Sequence, residues 1–566
     1  MARRIRWQIL IAAVSSVLVL GLMAYLAVTT AAVPRPLSGG AYVEGLIGIP
    51  QQLNPLVSDP ARDPVAADIR ALLFDGLMKI GPDGLPEPAL AESWEVDDSG
   101  VVYTFTLRND VVWHDGAPLT VDDALFTLRA IQNRGFAGDP SISAIWRDVL
   151  FERVGERSIR CRLAAPFAPF LSLATFPILP AHLLGNLQPE QWASAPYSLK
   201  PIGTGPYQLT EITGEHALLD ANPRYFGGRP FVESIELRFF ANPQAERSAL
   251  NRGEIQGLGF MGTSDLSQLN LPRGFTRHAL PLDSAVQLAF NLRSGPLADT
   301  GLRRALAEGL DKNELIKRTL DGQASPLDTP ILPGWWAASP KIVWYPADQQ
   351  HAGEVLTSLG YTPGSDGVRA RDGKPLVLPL ITSGEADRVA VANEIARQWG
   401  QLGVQVQVET LEADALRQRL AAHDFTLALY GLQRLGADPD VYEQWHSSQA
   451  ERGNNYAGLQ DEQIDELLFN ARRDLDIGVR APSYEAFQRR WVELVPSIML
   501  YQPLFVYVAT SDLEGLGFDR PAIAIVREGG AAEVSENHLL VGREGRFRNV
   551  VHWFIRSARE IHGELR

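Results

Sequence analysis

The chain has 566 residues, 45% of them hydrophobic and 21% charged, the composition of a globular protein and not of a disordered one. At roughly 100–200 residues per domain, the length implies about three domains or lobes. With 52 Lys and Arg against 67 Asp and Glu the formal charge is −15, which argues against a nucleic-acid partner because such a surface repels phosphate, and the single cysteine, Cys161, excludes an intrachain disulfide and a Cys-based zinc site.

The first local signal is at the N-terminus, where Arg3, Arg4 and Arg6 precede an uncharged run over 9–28. At about 20 residues the run matches a helix that spans hydrocarbon. Its cationic flank stays on the cytoplasmic side, so everything after residue 33 is expected outside. A retained anchor is expected, with the small residues Thr30-Ala31-Ala32 as the alternative cleavage site; no cysteine follows the run, which excludes a lipoprotein. Pro34-Arg35-Pro36 and Ser38-Gly39-Gly40 are then expected to form a linker, with the fold beginning near Ala41.

Extended runs over 94–96 and 101–108 flank Asp97-Asp98-Ser99-Gly100, which predicts a β-hairpin. Val101, Tyr103, Phe105 and Leu107 fall on one face and Thr104, Thr106 and Arg108 on the other, so one face is expected to be buried. Thr120 and Asp123 have capping-box spacing, and Ala124, Leu125, Leu128 and Ile131 follow as an apolar stripe, which predicts a helix from Val121. Cys161 lies in an alternating run over 158–163 and is expected to be a small buried apolar residue.

Between 376 and 430 the rhythm changes. An apolar run over 376–381 is followed by Val391, Ile395, Trp399 and Leu402 at helical spacing, and Gly403 stops that helix. A β-rich stretch over 404–410, a helix carrying Leu416 and Leu420, and an apolar run over 425–430 complete a β-α-β-α-β pattern. This alternation predicts a parallel sheet, whose ligands sit beyond the carboxyl ends of the strands. The loop after Tyr430 is therefore the first place to seek a site.

Enzyme motifs are weak. Gly257-Leu258-Gly259-Phe260-Met261-Gly262 satisfies GxGxxG, but Thr263 to Leu266 opens only a short turn before Asn270-Leu271-Pro272-Arg273-Gly274, whereas a dinucleotide site needs a helix there. Asp122 and Asp123 are adjacent on a helix and diverge, so they complement its dipole instead of forming a paired-acid site. Trp113-His114-Asp115-Gly116 has no matched nucleophile. No catalytic residue, metal site or cofactor is assigned.

Several of these segments carry a resemblance. Phe74-Asp75-Gly76-Leu77, Leu90-Ala91-Glu92-Ser93-Trp94, 103–108, Trp113-His114-Asp115-Gly116 and Asp122-Asp123-Ala124 are similar to solute-binding family 5, the dipeptide, oligopeptide and nickel-binding subunits of ABC importers. The match continues in order with Gly203-Thr204-Gly205-Pro206-Tyr207, Asn222-Pro223-Arg224-Tyr225-Phe226, 250–255, Phe290-Asn291-Leu292, Arg303-Arg304-Ala305-Leu306, Asp311-Lys312, Ala437-Asp438-Pro439-Asp440 and Val495-Pro496. It spans nearly everything from 41 to about 508.

The resemblance implies an α/β, two-lobed periplasmic-binding-protein-like fold of type II with an extra inserted subdomain, its lobes joined by a two-strand hinge at which Asn291 is expected. The divisions it suggests are a membrane segment (1–33), lobe I (34–70), the inserted subdomain (71–200), lobe I again (201–287), lobe II (288–508), and a lobe I return with a C-terminal extension (509–566). The implied function is capture of a solute by lobe closure and delivery to a permease, by a protein expected to be a monomer outside the cytoplasmic membrane. A sensor using the same closure without transport and, more distantly, a secreted hydrolase are the alternatives.

Aromatic walls with a few polar groups usually line solute sites, which makes Trp335, Trp336, Trp445 and Tyr430 candidates for the cleft. In dipeptide-binding members an aspartate shortly before the Asp-Pro-Asp turn pairs the peptide ammonium. Here that stretch is Gln433-Arg434-Leu435-Gly436-Ala437, without an acid. Arg434 would favour a carboxylate or phosphate instead, and Asp438 is either a ligand contact or a turn cap. The chain end, with Arg546-Phe547-Arg548 and Trp553-Phe554-Ile555-Arg556, is expected either to complete lobe I with a final strand and helix or to dock on the permease or membrane.

Overall fold

The computed structural model describes residues 7, 13–23, 32–81, 84–259, 269, 271–293, 295–342, 344–432, 438–451, 453–518 and 542–561. Of the apolar run 9–28, residues 9–12 and 24–28 lie outside these, as do Arg3, Arg4 and Arg6. Its described part, 13–23, is helical with Val14, Leu18, Leu20 and Met23 exposed, and among the described residues no helix is long and apolar enough to cross a membrane.

Strands β1 (Ala32–Leu37) and β2 (Ala41–Ile47) lead to helix α1 (Pro64–Leu73), whose first turn is capped where the Asp63 carboxylate accepts from the Ala66 amide. A subdomain with its own core follows, in the chain order β3 (Ala91–Val96), β4 (Val102–Leu107), α2 (Val121–Gln132), β5 (Leu150–Val154) and β6 (Ser158–Arg162). Its antiparallel sheet has the order β3-β4-β6-β5. The alternation in β4 acts as its pattern requires, with Tyr103, Phe105 and Leu107 buried and Thr104 and Thr106 half-buried. α2 begins at Val121 on a capping box of Thr120 and Asp123. Cys161 is fully buried in β6, and burial pushes its thiol up to about 12.

The chain then builds β7 (Tyr207–Ile212), β8 (His216–Ala221), β9 (Ser234–Phe240), β10 (Gly257–Leu258) and β11 (Phe275–Pro281), and passes through 282–284 into β12 (Ala285–Phe290). Lobe II continues with β13 (Val377–Ser383), α3 (Ala386–Gln401), β14 (Gln405–Leu411), α4 (Ala413–Ala421), β15 (Leu427–Leu432), and an antiparallel helix pair, α5 (Glu462–Arg473) and α6 (Ile477–Leu494). β13 runs parallel to both β14 and β15, as the alternation predicts.

One twelve-stranded sheet runs through both lobes, its main path being β14-β13-β15-β12-β16-β10-β2-β9-β8-β7, where β16 is Ser497–Thr510. β16 pairs with β12 over its first part (Ile498 opposite Leu288) and with β11 over its second (Leu504 opposite Pro281). The two lobes are therefore joined where the chain crosses at 282–284 and again at 502–504, while each keeps a separate apolar core. The GxGxxG motif opens inside this sheet. A Cβ at Gly257 in β10 would collide with the Tyr42 hydroxyl, so the glycine serves close packing; 260–262 lie outside the described residues.

The C-terminal return closes lobe I. A 3-10 helix, Arg543–His552, packs on α1, and the last strand, β17 (Arg556–Ile561), pairs antiparallel with β1. Residues 34–36, expected as linker, are thus part of a two-stranded ribbon. Arg546 anchors the return. It is fully buried, its Nη2 lies 2.5 Å from Glu44 Oε1 and its Nη1 2.7 Å from Asp68 Oδ1, and both carboxylates are fully buried. Tyr507 donates to Glu44 (2.8 Å), its hydroxyl is 2.6 Å from that of Tyr42, and Arg543 takes the second Asp68 oxygen.

Candidate functional site

Leu432, the last residue of β15, lies opposite Ala285, the first residue of β12 after the crossing. Because β13 and β14 run parallel with β15, the carboxyl ends of all three strands lie at the edge of lobe II that faces lobe I. This is where an open α/β sheet binds its ligand. Tyr430 stands there, nearly buried. It accepts from Gln287 Nε2 (2.8 Å), whose Oε1 accepts from Ser497 (2.7 Å), and its ring meets Tyr456 edge-on at 5.8 Å. Burial raises the Tyr430 phenol far above its usual value, so it stays neutral. At the head of α3, Arg388 donates to the Tyr501 hydroxyl (2.6 Å) beside the crossing; Glu385, largely exposed, is 3.9 Å away.

Arg434 lies outside the described residues, as does the whole stretch 433–437. Asp438, which follows it, is held by a bidentate ion pair with Arg480 of α6, at 2.9 and 2.7 Å. Burial pushes the Asp438 carboxyl upward while the guanidinium pulls it back, and the two-point geometry keeps the pair ionic. Asp440 Oδ2 accepts from both Nε (2.8 Å) and Nη2 (2.7 Å) of Arg472 of α5. Trp336 belongs to this cluster, half-buried beneath Arg480 at 4.8 Å and edge-on to Tyr484 at 5.6 Å. Trp335 and Trp445 are buried in the lobe II core, Trp445 edge-on to Trp491 at 5.3 Å. The geometry thus joins Trp336 and Asp438 through Arg480, and leaves Tyr430 on the sheet edge and Trp335 and Trp445 in the core.

Asn291 sits at the end of β12 away from the crossing. Its Nδ2 donates to the carbonyls of His423 (2.9 Å) and Phe425 (2.8 Å), which fixes the loop before β15. The crossing itself is held by Leu282 and Gln502, through the Leu282 amide to the Pro503 carbonyl (3.1 Å) and Gln502 Nε2 to the Leu282 carbonyl (2.8 Å). Arg472, Arg480 and Arg388 carry no local signal of their roles. Their partners are distant in sequence, and the basic last turn of α5 looks like an ordinary complement to the helix dipole.

The residues that resemble catalytic fragments are structural. His114 Nδ1 accepts from the Gly203 amide (3.2 Å) and its Nε2 is 3.1 Å from the Gly205 carbonyl, the arrangement of a neutral imidazole, and burial lowers its pKa to about 4. Asp75 accepts from Tyr225 (3.0 Å) and Thr204 (3.2 Å), and burial raises it to about 6. Both tie the inserted subdomain to lobe I. Among the described residues no group of three or more His, Cys, Asp or Glu side chains is placed to hold a metal ion.

Known proteins share this architecture. The chain is 28% identical over 495 residues to the oligopeptide-binding protein AppA of Bacillus subtilis, covering 85% of this chain and 89% of that one, and the structure of AppA in complex with a nonapeptide superposes with a TM-score of 0.67 over 92% of this chain and 100% of that chain at 25% identity. Protein XP55 of Streptomyces lividans is 30% identical over 495 residues, covering 84% and 85% of the two chains. NikZ of Campylobacter jejuni, solved with Ni(L-His), matches with a TM-score of 0.68 and 25% identity over 91% of this chain and 99% of that chain. The family model described as "Bacterial extracellular solute-binding proteins, family 5 Middle" matches residues 86–454. With that match over more than half its length, the chain belongs to family 5 of the bacterial extracellular solute-binding proteins.

Proposed function

We propose that this protein captures a small polar or peptide-like solute between its lobes and delivers it to the permease of an ABC importer, while residues 1–33 hold it at the outer face of the cytoplasmic membrane. One observation carries the reading: the carboxyl ends of three parallel strands converge on the two crossings, so a solute bound there touches both lobes and stabilises their closure. No bond is made or broken in this function.

The solute is proposed to carry an acidic group and to lack a free α-ammonium. The stretch 433–437 contains Arg434 and Leu435 but no acid, and a buried ammonium without a counter-charge loses several kcal/mol. Arg388 adds a second cation at the same edge. Relatives are named for oligopeptides and, in NikZ, for a nickel–histidine complex. Calorimetry on the full chain against dipeptides, N-acetylated acidic peptides, sugars and a nickel–histidine chelate tests both statements. An acidic or N-blocked solute is expected to bind best. Tight binding of unmodified dipeptides, unchanged by Arg434→Ala, overturns the solute assignment while leaving solute capture in place.

A further inference from the structure

At the amino-terminal ends of β13 and β14, an open groove of about 810 Å³ is bounded by the helix Gln349–Ser358, the short strand Arg369–Arg371 and the end of α3. The backbone fixes that place. The Arg369 amide donates to the Gly403 carbonyl (2.7 Å) just before β14, and the Leu376 amide donates to the Arg369 carbonyl (2.7 Å) just before β13. The length of these strands, about 23 Å at roughly 3.3 Å per residue, separates the groove from the strand ends at the crossings. Its volume is that of a small-molecule site. Arg369 supplies the cation: Nε donates to the Leu402 carbonyl (2.7 Å), and Nη1 donates to Thr357 Oγ1 (2.9 Å) and the Tyr361 carbonyl (2.7 Å). Among the described residues Nη2 has no hydrogen-bond partner and no carboxylate pairs with this guanidinium. A Cβ at Gly353, in the middle of the helix Gln349–Ser358, would stand 3.3 Å from Nη2. Glycine weakens a helix interior relative to alanine, and here it leaves the outer edge of the guanidinium open to the groove.

We propose that this groove is a second ligand site, apart from the one between the lobes, and that it takes a sugar acid with a single carboxylate. Arg369 holds the carboxylate, and the side chains of Gln349, Ser358 and Gln401 meet the hydroxyls. The surrounding charge selects a monoanion. Two helices end beside the groove, at Gly309 and Leu402, and their last carbonyls carry partial negative charge, while Glu354 adds a full one at the rim. One guanidinium set against these suits a carboxylate better than a phosphate dianion. The amides and the hydroxyl offer donors and acceptors together, as ring hydroxyls require. Gln349 Nε2 already donates to the Gly309 carbonyl (2.7 Å), which leaves its Oε1 as an acceptor. The site needs no movement of the lobes, so its failure leaves solute capture untouched.

The test is fluorine NMR of the full chain in detergent, with a trifluoromethyl label at Thr362→Cys in one sample and at Glu385→Cys in another. Both positions are exposed, and the native Cys161 is fully buried and resists labelling. Thr362 follows Tyr361, whose carbonyl accepts from Arg369, and so reports on the groove; Glu385, at the head of α3, reports on the strand ends. Glucuronate is expected to shift the Thr362 label saturably, with a Kd on the order of 1 mM. Glucose, which lacks the carboxylate, is expected to bind about tenfold more weakly, and acetate, which lacks the hydroxyls, to give no saturable shift. Arg369→Gln is expected to weaken glucuronate about tenfold. Gly353→Ala is expected to do the same with a thermal midpoint equal to or above that of wild type, because alanine favours the helix while its Cβ crowds Nη2. Any response of the Glu385 label is expected to be unchanged by Gly353→Ala. No saturable shift at Thr362, glucose binding as well as glucuronate, or an affinity unchanged in both variants overturns the site.

Discussion

Arg546 and Arg480 are both buried guanidiniums gripped by carboxylates, but Arg546 joins segments of one lobe whereas Arg480 stands beside the contact between two bodies. The first cluster is sealed: Arg546, Glu44 and Asp68 are all 0% exposed. The second is graded toward solvent, from 4% and 11% for Arg480 and Asp438 to 22% and 13% for Arg472 and Asp440. Sealed charges hold a chain end permanently, because exposing one leaves an unpaired ion in an apolar core. Charges near an edge keep their partner while a neighbouring surface comes and goes, at a smaller desolvation cost.

The largest loss is expected at Arg546. Arg546→Ala leaves the buried Glu44 without its guanidinium and Asp68 with Arg543 alone, and is expected to cost about 3–5 kcal/mol in denaturant unfolding. A smaller loss than for Arg480→Ala would reverse the ranking of the two clusters. At the seam between the inserted subdomain and lobe I the buried groups are held by hydrogen bonds, from Tyr225 and Thr204 to Asp75 and from the Gly203 amide to His114. Asp75 titrates near 6 when folded against about 3.9 unfolded, so its contribution to stability falls as pH rises through that window. His114 titrates near 4 when folded against about 6.5 unfolded, so its contribution falls as pH drops through the same window. The two oppose each other. Asp75→Asn leaves the His114 dependence alone, and urea titrations between pH about 4 and about 7 are expected to show the variant losing up to about 3 kcal/mol on acidification where wild type loses less.

Arg480→Ala is expected to cost about 2 kcal/mol in denaturant unfolding, less than Arg546→Ala, because it leaves one carboxylate unpaired instead of disturbing two and that carboxylate lies nearer solvent. Thr120→Ala, which removes the α2 capping box, marks the scale of a purely local change. It is expected to cost about 1 kcal/mol by thermal unfolding and to leave interlobe distances alone.

Where local periodicity and capping decide, the structure was legible in the chain. The β3–β4 hairpin turning at Asp97 to Gly100, the α2 start at Val121 and the parallel β13–α3–β14–α4–β15 unit all follow from patterns within a few residues. What was not legible depends on distant partners. Pro34 and Pro36 look like linker because nothing near them announces β17, more than 500 residues away in sequence. Asn291 carries a family motif, yet the crossing is made by 282–284 and 502–504, where β16 changes partners. Asp438 has the look of a turn cap or ligand contact, and only the return of α6 shows that Arg480 already occupies it. Trp335 and Trp445 look like cleft aromatics in the chain, but both are buried in the lobe II core among residues distant in sequence.

Closure of the lobes about the two crossings on solute binding at the strand ends is read out by small-angle scattering of the full chain. The probe is whichever of the nickel–histidine chelate and the N-acetylated acidic peptide binds in calorimetry. A smaller radius of gyration on saturation, with a change in tryptophan fluorescence from the Trp336 cluster, is the predicted result. Saturating binding with an unchanged scattering profile contradicts it.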